Sequence, residues 1–211
     1  MSHFDDRAAT WDDDPTHTQR AAAIVAALRA HVSLTPQTTV LEVGAGTGAI
    51  GRSLAPVVQS VTLLDASAGM TNVARQRIEE AGLTNVTAVH GELDAPLGQR
   101  FDLIVGSLML HHVDDIPGAL VRLADLLAEG GTLAIADLDE DVTREFHDEG
   151  FAGHHGFSRE SLGADLTAAG LTDLRWSAAF DMPKTTASGH TRIFPVFLVT
   201  ASAAHTTVGD P

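Results

Sequence analysis

The sequence predicts an α/β fold in which a mostly parallel, seven-stranded sheet is covered by helices on both faces. Apolar, β-branched runs alternate with helical stretches along most of the chain, which is typical of parallel sheets. A glycine-rich turn follows the first such run and leads directly into a helix. The chain has 211 residues, of which 44% are hydrophobic, and this is enough for the core of one compact domain.

The first half of the chain alternates helices with strands. Residues 18–32 predict a helix, because Ile24 and Leu28 fall on one helical face and Pro36 follows as a stop. The β-branched run at 38–43 predicts a strand, since such side chains fit a pleated, half-buried surface. The alternation continues with a helix ending near Pro56, a strand at 61–65, a helix at 67–81 and a strand at 86–90.

The second half keeps this alternation and then departs from it. The pattern predicts a strand at 101–107, a helix at 114–128 and, after the Gly130-Gly131 turn, a strand at 132–136. Residues 138–157 lack clear periodicity, and irregular segments in compact domains are often functional.

The C-terminal part predicts a helix at 158–169 and two strands at 174–180 and 193–200. Two consecutive strands without a helix between them indicate a C-terminal antiparallel hairpin. We therefore expect a single domain over residues 1–201, followed by a tail at 202–211. Residues 1–32 would supply an N-terminal lid and helix, and residues 138–157 an irregular insert.

Composition excludes several classes of function. The 13 basic and 28 acidic residues give a net charge of -15, which would repel nucleic acid and anionic membranes. There is no cysteine, so disulfide frameworks and thiolate metal sites are excluded. The acidic N-terminus is unlike a secretory signal, and the apolar stretches fall short of the roughly 20 residues that cross a membrane. A cytoplasmic location is expected, and the oligomeric state stays open.

The glycine turn predicts a nucleotide-like ligand. Gly44-Ala45-Gly46-Thr47-Gly48-Ala49 lets the backbone approach a ligand without Cβ obstruction, and the following helix presents free N–H groups. The run also satisfies the dinucleotide pattern, with Asp65 as the downstream acid. An NAD(P)-dependent oxidoreductase is thus one alternative. The chain has no tyrosine, which excludes the Tyr-x-x-x-Lys pair of short-chain dehydrogenases.

The wider run Glu42-Val43-Gly44-Ala45-Gly46-Thr47-Gly48 resembles the first motif of the class I S-adenosylmethionine-dependent methyltransferases. The resemblance covers about residues 4–201 and implies their Rossmann-like fold. The other matching pieces are FDDRAATWD at 4–12, LDASAGM at 64–70, Gly91-Glu92, SLMLHH at 107–112 and Gly130-Gly131.

The resemblance implies a set of residues that bind S-adenosylmethionine. Gly44, Ala45 and Gly46 would pass beneath its methionine part, with Gly48 completing the motif, and Glu42 would help to hold the amino group. Asp65 would accept hydrogen bonds from both ribose hydroxyls, as a carboxylate can. Ala66 and Met70 would pack on the adenine, Gly91, Glu92 and Leu93 would lie beside it, and Ser107 and Leu108 would lie near the amino-acid part. As alternatives, Asp65 could be a helix N-cap, Met70 plain core, and Trp11 either a lid or a surface anchor.

Histidines follow the fourth predicted strand, where the methyl group of the cofactor should point. His111 and His112 lie there, and Asp137 ends the fifth strand beside them, so a carboxylate could orient an imidazole that acts as a base. His111 is the preferred candidate. The same residues also fit a packing role at a helix start, with Asp114 capping the next helix.

The insert contains His147, Asp148, His154 and His155, whose spacing fits no standard zinc pattern. We expect no metal there. The insert could instead cover the acceptor pocket, with His154 or His155 lining it, or be a solvated loop. The sequence therefore predicts a methyltransferase that transfers a methyl group to a small-molecule acceptor by in-line displacement. A non-catalytic S-adenosylmethionine-binding protein is the alternative.

Overall fold

The structure, a computed structural model, describes residues 4–203 and contains a seven-stranded sheet. The strands are β1 (Thr39–Val43), β2 (Ser60–Asp65), β3 (Val86–His90), β4 (Phe101–Ser107), β5 (Leu127–Leu138), β6 (Leu171–Thr185) and β7 (Thr191–Ala203). The helices are α1 (Pro15–His31), α2 (Ala49–Leu54), α3 (Ala68–Glu80), α4 (Ile116–Asp125) and α5 (Arg159–Ala168).

The strand order is β3-β2-β1-β4-β5-β7-β6. The first five strands pair in parallel, and β7 runs antiparallel between β5 and β6. The predicted α/β fold, with its mostly parallel sheet and C-terminal antiparallel hairpin, is confirmed. Chain order reverses between β1 and β4, and ligands of open α/β sheets bind at such a point, outside the carboxyl ends of the strands.

Most helices begin directly after a residue whose side chain caps their N-terminus. The carboxylate of Asp14 accepts from the backbone N–H of Thr16, and Pro15 stands at the first helical position, so α1 begins three residues before the predicted start. Helix α4 corrects a second expectation. The cap is Asp115, whose side chain accepts from the N–H of Gly118, and not Asp114.

Several predicted bounds in the C-terminal half of the sheet were wrong, and Leu138 belongs to β5, so the insert begins at residue 139. Helix α4 ends at Asp125, not at 128, and β5 already begins at Leu127 and includes the glycine pair. A register shift between Phe101 and Leu103 in the β4–β5 pairing accommodates this early start. The hairpin strands extend to Thr185 and Ala203, so Ser202 and Ala203 belong to β7. The rest of the predicted tail lies outside the described residues.

Two apolar layers flank the sheet. Helices α1, α2 and α3 cover one face, with Ile24, Leu28 and Leu54 fully buried, and α4 and α5 cover the other, with Leu120 and Leu162 buried. Burial of each such side chain contributes about 1.5–3 kcal/mol, and these layers hold the carboxyl ends of the strands in fixed positions. Within residues 4–203, none of the helices has the length and apolarity that crossing a membrane requires.

Candidate active site

The glycine turn between β1 and α2 needs glycine for two separate reasons. Gly44, Gly46 and Gly48 have φ of +62°, +54° and +77°, a backbone region that other residues adopt at a cost. A Cβ on Gly44 would lie 2.5 Å from Cβ of Met109, and one on Gly48 would lie 2.3 Å from Cδ1 of Leu63. Gly44 and Gly48 therefore pack directly against protein side chains, whereas a Cβ on Gly46 would meet only the sulfur of Met70, at 3.9 Å, so the open part of the turn lies at Gly46.

Asp65 ends β2 and connects the glycine turn to the start of α3. Its carboxylate accepts from the N–H of Gly46 at 2.6 Å and from the N–H of Ser67 at 2.8 Å. Burial raises the pKa of Asp65, and these two backbone donors act against that rise. The cap of α3 is Ser67, whose hydroxyl accepts from the N–H of Met70, so Asp65 is not itself the N-cap.

Glu42 lies within β1 and is only 3% exposed. Its carboxylate accepts from the N–H of Gly51 at 2.7 Å. Burial raises the pKa of Glu42 to about 8, because a buried carboxylate loses its hydration. A cationic ligand near this carboxyl group would restore its charged form. The Glu42 carboxylate could then accept hydrogen bonds from an ammonium group.

The other predicted cofactor residues lie along the same edge of the sheet. Met70 is 2% exposed, and its sulfur lies 3.9 Å from the place of a Cβ on Gly46. Leu108 has a φ of +48°, and its N–H donates to the carbonyl oxygen of Ala136 at 2.8 Å. Ala66 and Glu92 are exposed, Leu93 and Ser107 are partly buried, and the N–H of Gly91 donates to the carbonyl oxygen of Asp65.

Asp137, at the end of β5, organises the segment that follows β4. It is completely buried and accepts from the N–H groups of Leu110, His111 and Leu138. Nδ1 of His111 donates to the same carboxylate at 2.7 Å, since a carboxylate only accepts. Neutral His111 then has its lone pair on Nε2, which has no hydrogen-bond partner among the described residues. This is the geometry of an oriented base.

The ring of His112 lies against the ring of His111, with centroids 4.1 Å apart and planes 40° apart. Its ring meets the ring of Phe4 edge to face at a centroid distance of 5.4 Å. Burial and the neighbouring His111 lower the pKa of His112 to about 4. The structure thus joins two of the three predicted catalytic residues, His111 and Asp137, and leaves His112 in a packing contact.

The insert at 139–157 is pinned to His111 by its backbone. The N–H of His154 donates to the carbonyl oxygen of His111 at 2.8 Å, and Nε2 of His154 donates to the carbonyl oxygen of Val113. A Cβ on Gly153 would lie 2.4 Å from the same oxygen of His111, so only glycine permits this approach. The ring of His147 lies beside the rings of His111 and His112, at centroid distances of 5.0 and 6.4 Å, and the ring of His155 lies beside that of His147.

The N-terminal segment 4–13 lies against the glycine turn and the start of α3. Asp5 accepts from the hydroxyl of Ser67 at 2.6 Å and from the N–H of Gly69 at 2.9 Å. Asp12 accepts from the hydroxyl of Thr47 at 2.8 Å. Trp11 stacks on His17 at 4.1 Å. Segment 4–13 therefore lies over part of the glycine turn and the start of α3, while Gly44 is exposed and Gly46 and Asp65 are partly buried. Two open surface hollows, near residues 29–34 and near residues 200–202, lie elsewhere.

Comparison with known proteins identifies the family to which this geometry belongs. A family model described as a methyltransferase domain matches residues 10–175. The chain belongs to this family. It is a member of the class I S-adenosylmethionine-dependent methyltransferases, a family whose cofactor is S-adenosylmethionine.

One relative of the methyltransferase is the biotin biosynthesis bifunctional protein BioCD of Bordetella avium. It is 32% identical over 146 residues, which cover 68% of the chain and 31% of that protein. The chain spans half or less of the length of the first curated relatives that it matches.

Two solved structures show the same fold. A chain from the complex of the Haloferax volcanii Trm112 methyltransferase activator with a candidate methyltransferase has a TM-score of 0.79 and 21% identity, and the match covers 97% of this chain and 99% of that one. The N-methyltransferase NodS of Bradyrhizobium japonicum, in complex with S-adenosyl-L-homocysteine, has a TM-score of 0.69 and 22% identity, covering 92% and 90%.

Sequence reasoning did not single out Asp5, Asp12 or Arg20 of the methyltransferase. The aspartates lie in an acidic run whose contacts depend on the fold, and no spacing rule marks them. Burial lowers the pKa of Arg20 to about 10, although Asp14 and Asp137 attract its charge. An arginine on the apolar face of a helix, one turn before Ile24, was the available signal. In residues 4–203 no cluster of three or more His, Asp or Glu side chains is arranged to hold a metal ion.

Proposed function

We propose that the methyltransferase methylates a hydroxyl group of a small molecule, with His111 as the general base. The buried pair of His111 and Asp137 carries this proposal, because it leaves a proton-accepting nitrogen at the edge of the sheet where the cofactor motif also ends. A base of this kind is needed for a protic nucleophile and contributes typically 10²–10⁴-fold to the rate. The net charge of -15 supports a small molecule over nucleic acid as the acceptor.

The residues of the glycine turn fit S-adenosylmethionine. The backbone at Gly46 leaves room for close approach, Gly44 and Gly48 hold the turn tightly against Met109 and Leu63, and the buried carboxyl of Glu42 suits the α-ammonium group. Asp65, half-buried beside the turn, would take the ribose hydroxyls. Ala66, Met70, Gly91, Glu92, Leu93, Ser107 and Leu108 lie along the same edge and would complete the site.

When bound, S-adenosylmethionine supplies an electrophilic methyl group with its own leaving group. The protein then has to align the acceptor, take its proton and exclude water. Nε2 of His111 would accept the hydroxyl proton, and Asp137 would hold the ring orientation and stabilise the resulting imidazolium. Segment 4–13 and the insert cover this edge and would keep water out during transfer.

The proposal is tested with three variants and two measurements. Titration calorimetry should show S-adenosylmethionine binding to the wild type and to His111→Asn, and markedly weaker binding to Asp65→Ala. Product formation from a metabolite pool, followed by mass spectrometry, should fall about 10²-fold or more in His111→Asn. Asn retains a donor for Asp137 and lacks the base. His190→Asn, on the exposed turn between β6 and β7, should match the wild type.

Two alternative functions predict different results in these measurements. A non-catalytic S-adenosylmethionine-binding protein would bind the cofactor and yield no methylated product from any pool. An NAD(P)-dependent oxidoreductase would bind NADH and ignore S-adenosylmethionine. Full product formation by His111→Asn would remove the histidine base from the proposal.

A further inference from the structure

Unpartnered polar atoms concentrate at one place in the structure. Among residues 4–203, four buried side-chain nitrogen or oxygen atoms have no hydrogen-bond partner, and three of them are Nδ1 and Nε2 of His147 and Nδ1 of His155. Leaving such an atom unsatisfied costs about 1–3 kcal/mol. Because three such atoms lie within one insert, we look for a ligand whose polar groups would pair with these nitrogens.

These histidines adjoin the proposed base. The ring of His147 lies 5.0 Å from the ring of His111 and 5.6 Å from the ring of His155, measured between centroids. The backbone hydrogen bond from the N–H of His154 to the carbonyl oxygen of His111 fixes the insert in this position. One small molecule whose hydroxyl meets His111 can therefore reach His147 with a second polar group nearby.

The surroundings of the insert histidines indicate the chemistry of that group. Burial lowers the pKa of His147 to about 3, and His111, His112, His155 and Lys184 act in the same direction. A neutral imidazole offers one donor and one acceptor, which matches a hydroxyl group. The ammonium of Lys184 donates to the carbonyl oxygen of Phe146 beside this ring, so a cationic acceptor would be repelled.

Aromatic rings surround the two insert histidines. His147 stacks on Phe151 with centroids 3.7 Å apart and planes 8° apart, and it meets Phe146 edge to face at 4.8 Å. Phe151 also meets His155 at 5.7 Å. Stacked and edge-to-face arrangements at these distances suit another flat ring.

We propose that His147 and His155 bind the acceptor, and that the acceptor is an aromatic compound with a second oxygen adjacent to the hydroxyl that is methylated. This inference rests on the proposed function, because it takes His111 as the group that meets the first hydroxyl. The second oxygen, a hydroxyl or a carbonyl, would pair with the nitrogens of the insert.

Three simple phenols test the spacing of the two oxygens. The full chain is saturated with S-adenosyl-L-homocysteine and titrated, under reducing conditions, with catechol, hydroquinone and phenol. Catechol and hydroquinone contain the same two hydroxyls, adjacent in one and opposite in the other. We expect catechol to bind at least tenfold more tightly than either of the other two. Equal affinities for the three phenols would overturn the proposal.

A variant assigns this preference to the insert. His147→Phe keeps the stacking ring and removes both nitrogens, so its affinity for catechol should fall to that of phenol. Its melting temperature without ligand should rise, since an unsatisfied buried polar group is lost. His190→Phe, on the exposed turn between β6 and β7, is the control and should retain the tenfold preference. A preference retained in His147→Phe, or a lower melting temperature, would contradict the proposal.

A measurement on the wild type avoids any dependence on variant folding. The ¹⁵N resonances of His147 and His155 should shift when catechol is added, and those of His190 should not. Absence of a shift at both insert histidines would overturn the proposal. These are equilibrium readouts, so they do not depend on methyl transfer. Failure of the proposed function would appear separately, as absent cofactor binding or as undiminished product formation by His111→Asn.

Discussion

Gly44 and Gly82 separate the two reasons for which a glycine is required. Both have a φ of +62°, but a Cβ on Gly44 would lie 2.5 Å from Cβ of Met109, and one on Gly82 would meet nothing within 4 Å. The left-handed conformation costs roughly 1–2 kcal/mol for an alanine, and overpacking typically adds 1–3 kcal/mol. The contact at Gly44 involves the rigid base of the Met109 side chain, so it cannot be relieved by a rotamer change.

Gly44→Ala should therefore lower the free energy of unfolding by about 2–5 kcal/mol, and Gly82→Ala by about 1–2 kcal/mol. Urea denaturation of the two variants and the wild type measures both values. Gly44→Ala should also weaken S-adenosylmethionine binding, and Gly82→Ala should not. Equal losses of stability in the two variants would show that Met109 moves aside freely.

At the scale of elements, the N-terminal segment 4–13 is attached to the glycine turn and to the start of α3 by side-chain hydrogen bonds, each of which a single substitution can remove. Asp12 accepts from the hydroxyl of Thr47 at 2.8 Å, and its other oxygen lies 3.5 Å from Nε of Arg77. The neighbouring Asp13 is exposed. A hydrogen bond to a charged group contributes about 1.5–3 kcal/mol, and the more exposed ion pair adds little.

Asp12→Ala should loosen the segment over the glycine turn. We expect faster amide hydrogen exchange at residues 8–13 and about tenfold weaker S-adenosylmethionine binding, which corresponds to about 1.4 kcal/mol. Asp13→Ala is the matched control and should leave both measurements unchanged. Unchanged cofactor affinity in Asp12→Ala, together with faster exchange, would mean that the segment does not act as a lid.

The elements that the sequence predicted well are those with a strong local signal. Strands β3 and β4 were predicted to the residue, because they are short, contain residues with a high strand propensity and are bounded by turns. Helix α4 and strand β5 were misjudged because the chain passes from Asp125 to Leu127 almost without a break, and the glycine pair lies inside the strand instead of before it. Pairing with β4 and β7 decides that boundary, and no local pattern records it.

The candidate site shows the same division between local and tertiary information. The glycine turn could be predicted from a contiguous motif and Asp65 from the end of the second strand, and the structure joins them through the N–H of Gly46, which donates to the Asp65 carboxylate. The pairing of His111 with Asp137 spans 26 positions and followed from strand order. The roles of Asp5 and of His147 depend on how irregular segments fold back onto the sheet, and periodicity carries no information on that.

For the whole molecule, two sets of buried groups give stability opposite dependences on pH. Burial lowers the pKa of His112 to about 4 and of His147 to about 3, from an ordinary value of 6.5. The unfolded chain therefore binds more protons than the folded one below about pH 6.5, and stability falls as the pH is lowered. Glu42 acts in the other direction, since its pKa is raised from 4.5 to about 8. Its contribution is fully present below about pH 4.5 and is lost progressively as the pH rises from there through about 8.

Stability should consequently be greatest near pH 6.5, where each of the two histidines is half-protonated in the unfolded chain and their combined uptake balances the one proton that Glu42 keeps in the folded chain. Above this pH the raised pKa of Glu42 dominates, and its proton difference contributes about 1.4 kcal/mol per pH unit up to about pH 8. Glu42→Gln cannot titrate, so its free energy of unfolding should decline less between pH 6.5 and 8, whereas His147→Phe should weaken only the decline below pH 6.5. Urea denaturation across pH 4.5–8.5 measures both limbs. An alkaline decline of the same steepness in Glu42→Gln would show that Glu42 is already ionised in the folded protein, which would also remove the argument that it awaits a cationic ligand.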